Sequence, residues 1–154
     1  MDKQRLKDYL DARERVLGDW EGLKKQASLK KLKHDRRFCH LCCYAMFRAI
    51  QLAIDISNHL VAEFNWPRPS QKYRESFETM GREKFIDNQL SESLAKLSDF
   101  RNILIHEYVD LDLTKVLSNL QKGDLLLRKF ELRVYKELRK DRKKRPRAMS
   151  AAEI

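Results

Sequence analysis

The sequence predicts an all-α fold, an up-down helical bundle of three long helices plus a short connecting one. Three observations predict it. Apolar residues recur at three- and four-residue spacing through the strongest segments, strand-type alternation is absent, and only four glycines and three prolines punctuate 154 residues. A chain of this length holds one domain with a real core and is too short to expect two.

Residues 1–35 read as a basic helical arm, with polar, helix-prone stretches over 2–17 and about 19–33 interrupted by Gly18 and Gly22. The central helix runs from Arg36 to about Asn65, "RRFCHLCCYAMFRAIQLAIDISNHLVAEFN", with Phe38, Leu41, Ala45, Leu52, Ile56 and Leu60 at helical spacing. "NWPRPS" stops it, because Pro67 and Pro69 bias their predecessors toward extended backbone. Ser70 is suited to cap a short helix, "QKYRESFETM", which Gly81 ends. After the turn "GREKFID", a long helix spans about Asn88 to His106. "DLDL" breaks the pattern, and Asp110 or Asp112 caps a final helix through Val116, Leu120, Leu127, Phe130 and Val134. Residues 36–135 therefore form the bundle, and 136–154 a basic extension whose tail is expected to be disordered.

The net charge of +10 is unevenly placed. Residues 1–37 carry 12 basic and 7 acidic groups, 136–147 carry 8 and 2, and 38–135 carry 13 of each. Basic flanks raise the local concentration of polyanions such as RNA without sequence preference, or else serve only as solvated tails. No run approaches the roughly 18 apolar residues of a membrane span, and "MDKQRLKDYL" lacks the apolar segment of a secretory signal. A cytoplasmic protein with no membrane partner is the expectation. Cys39, Cys42 and Cys43 cluster beside His40, but their i,i+3 and i,i+4 spacing is that of small core residues on one helix face. No second ligand cluster follows at zinc-finger spacing, so buried cysteines are expected in preference to a metal site.

The segment "RNILIHEY", Arg101 to Tyr108, is the anomaly. With Leu90 at zero on a helical wheel, Leu94, Leu97 and Leu104 fall within about 40°, and Arg101 lies at about 20°, inside the apolar stripe. A buried unpaired guanidinium is prohibitively costly. Arg101 therefore needs an anionic partner, for which Asp55 is the obvious choice, or a cleft, or a subunit interface. His106 points about 140° from Arg101 on a straight helix, with Asn102 and Asp99 nearer to it. Either the helix unwinds near its end or the two groups meet across a two-fold axis.

"RNILIHEY" matches R-x4-H-x-Y, and the chain resembles the HepT-like branch of the HEPN superfamily, small helical ribonuclease toxins. "AIQLAIDISNHLVAEF" looks like the family's central helix, "PSQKYRESFETM" like its connecting segment, and "LSDFRNILIHEYVDLD" like its motif helix. The resemblance covers about residues 36–135. It implies a homodimer that cuts RNA without metal or cofactor, with Arg101 and His106 catalytic and Asn102 supporting; Asp55, as the candidate partner of Arg101, is a second expected supporting residue. It further implies a nucleotidyltransferase antitoxin that transfers AMP to Tyr108. A non-catalytic helical adaptor that docks a nucleotidyltransferase or RNA is the competing expectation.

Overall fold

The computed structural model describes residues 2–67, 72–106 and 108–152, with side chains through 106 and over 109–140. Six α-helices follow in order: α1 (Lys3–Gln26), α2 (Leu29–His34), α3 (Arg36–Glu63), α4 (Arg74–Arg82), α5 (Asn88–His106) and α6 (Leu113–Ala152). A 3-10 turn, Tyr108–Asp110, joins the last two. A short polar residue turned onto the helix's free amides opens every α-helix but α4, whose N-cap, Tyr73, makes no side-chain cap bond. Asp2, Ser28 and Asp35 accept from Arg5, Lys31 and Phe38 amides. Asp87 accepts from Leu90, and Asp112 from Thr114 and Lys115. Ser70, expected to cap the connecting helix, lies outside the described residues.

Helix α3 is central and packs against every other α-helix. Its buried stripe runs through Phe38, Cys42, Met46, Ile50, Ile54 and Ile56 to Leu60. Leu41, expected in that stripe, is 56% exposed, because the stripe turns past it through Cys39 and Cys42. By length and mean hydropathy of 1.3, α3 could cross a membrane, contrary to the expectation that no segment is apolar enough. Half of that window, however, is buried among the protein's own helices, which is how a core helix comes to be apolar on several faces.

The expected arm is a fourth long helix of the bundle. Leu6, Leu10, Leu17 and Trp20 of α1 are fully buried against α3 and α6, and α2 adds Leu32 to the same core. The stripe was masked by its middle member, Arg13, which is also fully buried. Arg13 Nη2 donates to the Leu127 carbonyl, and the guanidinium stacks over Phe130 at 5.5 Å. Burial pulls its pKa down to about 10, opposed by nearby Glu131. Trp20 Nε1 donates to the Leu120 carbonyl at 2.7 Å, and Gly123 lets α6 approach that indole, since a Cβ there would lie 3.0 Å from it.

Residues 136–140 continue α6, with Leu138 packed on the core. The backbone stays helical to Ala152, where a disordered tail was expected, while side chains beyond 140 lie outside the described residues.

Candidate active site on the Arg101–His106 face

Helix α5 remains α-helical to His106, so the motif is carried without the unwinding that the 140° separation had invited. Arg101, Asn102 and His106 nevertheless line one open cleft of about 560 Å³, together with Lys72, Tyr73, Arg74 and Asp99. The cleft lies between α5 and the start of α4. Two contacts fix α4 there: Ser57 Oγ and Ser76 Oγ are 2.6 Å apart, and Ser91 Oγ donates to the Phe77 carbonyl at 2.8 Å. His106 is exposed, and Arg101 and Asn102 are half-buried.

Arg101 is held on several sides. Its Nε donates to Gln51 Oε1 at 2.8 Å, and Nη1 donates to Asn102 Oδ1 at 3.0 Å. The guanidinium also lies 4.7 Å from the Tyr73 ring and 5.2 Å from Phe47, within cation–π range. Asp55, the expected partner, does not pair with Arg101; it accepts instead from Gln51 Nε2 at 3.0 Å. Among the described residues no carboxylate forms a direct ion pair with Arg101. Burial pushes the Asp55 carboxyl above its ordinary range, against the pull of Gln51, Arg101 and Arg5.

Arg74 Nη1 binds Asp99 Oδ2 at 2.6 Å while its Nε binds Glu78 Oε1 at 2.6 Å. Among the described residues, Lys72, Arg74 and Arg101 thus face a single cleft carboxylate, Asp99, and the surface favours an anion. A guanidinium with no carboxylate of its own is suited to hold a phosphate, and an exposed imidazole to move a proton.

Sequence reasoning passed over Lys72, Tyr73, Arg74, Phe47 and Gln51. Phe47 and Gln51 could have been found, since 47, 51 and 55 share one face of α3 at four-residue steps. Tyr108 opens the 3-10 turn after His106, but its side chain lies outside the described residues. Cys39 and Cys42 pack into the core and Cys43 at its edge, whereas His40 is exposed. Burial pushes the Cys42 thiol up to about 11 and the Cys43 thiol up to about 12. These are protonated packing groups at neutral pH. Among the described residues no group of three or more His, Cys, Asp or Glu side chains could hold a metal ion.

A sequence model of the family described as "Ribonuclease HepT-like" matches residues 6–139, which takes in α1 as well as the segment that carries the motif. The chain is 34% identical over 74 residues to the mRNA nuclease HepT of Shewanella oneidensis, covering 48% of this chain and 55% of that one. It is 32% identical over 66 residues to the tRNA nuclease HepT of Aphanizomenon flos-aquae, covering 43% and 44%. Each alignment therefore spans about half of the relative's length. In fold it is similar to the tri-AMPylated Shewanella oneidensis HEPN toxin solved in complex with an MNT antitoxin, with a TM-score of 0.76 and 22% identity over 84% of this chain and 96% of that one. Helix order, motif helix and family match agree, and the chain belongs to the HepT-like ribonuclease family.

Proposed function

We propose that this protein is a metal-independent endoribonuclease toxin that cleaves RNA by attack of a ribose 2′-hydroxyl on the adjacent phosphorus. One observation carries the proposal: Arg101, with no direct carboxylate partner among the described residues, shares an open cationic cleft with His106. Arg101 binds the scissile phosphate through its guanidinium and stabilises the charge that builds on the phosphoryl oxygens. Asn102 holds Arg101 in place from one side. His106 exchanges the proton, either taking it from the 2′-hydroxyl or giving it to the departing 5′-oxygen. In a homodimer with the two motifs facing each other, one histidine does each task. The products are a 2′,3′-cyclic phosphate and a free 5′-hydroxyl.

A nucleotidyltransferase antitoxin neutralises the toxin by transferring AMP to Tyr108, two residues beyond His106. The added phosphodiester places negative charge beside the cleft and excludes an RNA phosphate from Arg101. Toxin, antitoxin and RNA meet in the cytoplasm.

The test is cleavage of RNA by the full chain in EDTA, with end-group analysis. Cyclic phosphate ends, lost in Arg101→Ala and His106→Ala, support the mechanism. Full activity in His106→Ala, or dependence on added metal, refutes it. Co-expression with a nucleotidyltransferase antitoxin should add AMP mass to the wild-type chain and none to Tyr108→Phe. A chain that binds RNA or the antitoxin without cutting is the adaptor alternative.

A further inference from the structure

An arginine drawn half into a helical core ordinarily meets a carboxylate. Here a neutral amide stands between Arg101 and Asp55. A guanidinium can only donate and a carboxylate accepts, so one orientation of Gln51 satisfies both neighbours. Its Oε1 faces Arg101 Nε at 2.8 Å, and its Nε2 faces Asp55 Oδ1 at 3.0 Å. We propose that Gln51 is a positioning residue for Arg101: a neutral spacer that fixes the guanidinium while keeping Asp55 from neutralising it. This inference rests on Arg101 binding RNA phosphate.

The reason is electrostatic. A carboxylate in direct contact with Arg101 would compete with every incoming phosphate for the same donors. With Gln51 interposed, Asp55 orients the amide, the amide orients Nε, and the remaining guanidinium edge keeps its charge for the cleft. Phe47, one turn back on the same face of α3, and Tyr73 add ring contacts to the guanidinium at 5.2 and 4.7 Å.

Gln51→Glu keeps the shape and changes the charge. At neutral pH the new carboxylate pairs directly with Arg101 and repels Asp55. When protonated, it again offers a carbonyl to Arg101 and a donor to Asp55. Asp55 on α3 and Arg101 on α5 flank position 51; Arg5 on α1 acts on Asp55, Tyr73 lies against Arg101, and Lys72, Arg74, Asp99 and His106 line the same cleft. All of them are shared with the wild type, so the ratio of variant to wild-type activity isolates the new group.

The experiment measures RNA cleavage and RNA binding by the full chain between about pH 4 and about pH 8, a window that reaches the carboxylate range as well as that of histidine. Gln51→Glu is expected to lose about tenfold or more at the upper end, as for a charge-assisted bond turned against the ligand. Its ratio to wild type should climb as pH falls. Gln51→Ala should lose about tenfold at the upper end, because it removes the hydrogen bond to Arg101 and unshields the guanidinium from Asp55. A flat ratio for Gln51→Glu, or a Gln51→Ala variant within about twofold of wild type, overturns the proposal. Binding of a 2′-deoxy oligonucleotide, which lacks the attacking hydroxyl, separates the two levels. Wild-type protein that binds this oligonucleotide but does not cut RNA refutes the nuclease reading, and Gln51 is then judged on binding: weakened affinity in Gln51→Glu that recovers on acidification upholds it, and unchanged affinity overturns it.

Discussion

Replacing Gly81 by alanine should destabilise the protein, although a helix ordinarily welcomes that change. Gly81 lies in α4 and is buried against α5. A Cβ there would lie 2.4 Å from Ser91 Oγ and 2.7 Å from Ser91 Cβ. Rotating the hydroxyl relieves the first contact only by breaking its 2.8 Å bond to the Phe77 carbonyl, and the Cβ contact remains. Helix α4 must therefore back away from α5. The propensity gain of Gly→Ala is about 1 kcal/mol, overpacking costs about 1–3 kcal/mol, and the lost buried hydrogen bond adds about 1 kcal/mol, so the net loss is about 1–3 kcal/mol. Gly18 and Gly22 in α1 are matched controls, since a Cβ at either meets nothing within 4 Å. Gly18→Ala and Gly22→Ala should each stabilise by about 0.5–1 kcal/mol. Urea unfolding reads all three as shifts in midpoint at unchanged slope. A Gly81→Ala protein as stable as wild type, or a destabilised Gly18→Ala, would refute the close-packing account.

Three further outcomes are expected. Burial raises the Asp55 pKa in the folded state, so the stability this group contributes is present below its unfolded value of 3.8 and is lost as pH rises through the folded one. Asp55→Asn should therefore melt higher than wild type at pH 7, with the gap closing as the solution is acidified. Trp20→Phe removes the donor to the Leu120 carbonyl and should cost about 1–2 kcal/mol in the same urea assay. Arg74→Ala leaves Asp99 without its cation and removes a positive group from the cleft; it should weaken RNA binding and reduce the slope of log affinity against log salt by about 1.

The helices built on apolar periodicity were legible from sequence. The α5 boundaries, Asn88 and His106, coincide with those expected, and α3 starts at the expected Arg36 and ends two residues early at Glu63, where Asn65 takes a left-handed conformation. Helix α1 was hidden for a specific reason. Its core stripe is narrow, surrounded by charged residues and occupied at its centre by Arg13, so it resembled a solvated arm. Burial of that cation is tolerable only because distant parts of the chain supply the Leu127 carbonyl, the Phe130 ring and the charge of Glu131. No local pattern announces such partners. Arg101 stood out because it sits in a leucine stripe. Its real neighbours did not, because Gln51 carries no charge to attract notice and Tyr73 and Arg74 reach the cleft only through the packing of α4 on α5.

The two indoles give the molecule a pair of built-in fluorescent reporters in separate territories. Trp20 is sealed between α1 and α6 and bonded to a carbonyl, so its emission should be blue-shifted and inaccessible to iodide. Trp66 is half-exposed in a stack with Phe64 at 4.8 Å and edge-on to Phe85 at 5.7 Å, at the far end of α3. Single-tryptophan variants would thus let detachment of the first helix be watched apart from loosening of the turn that precedes the cleft.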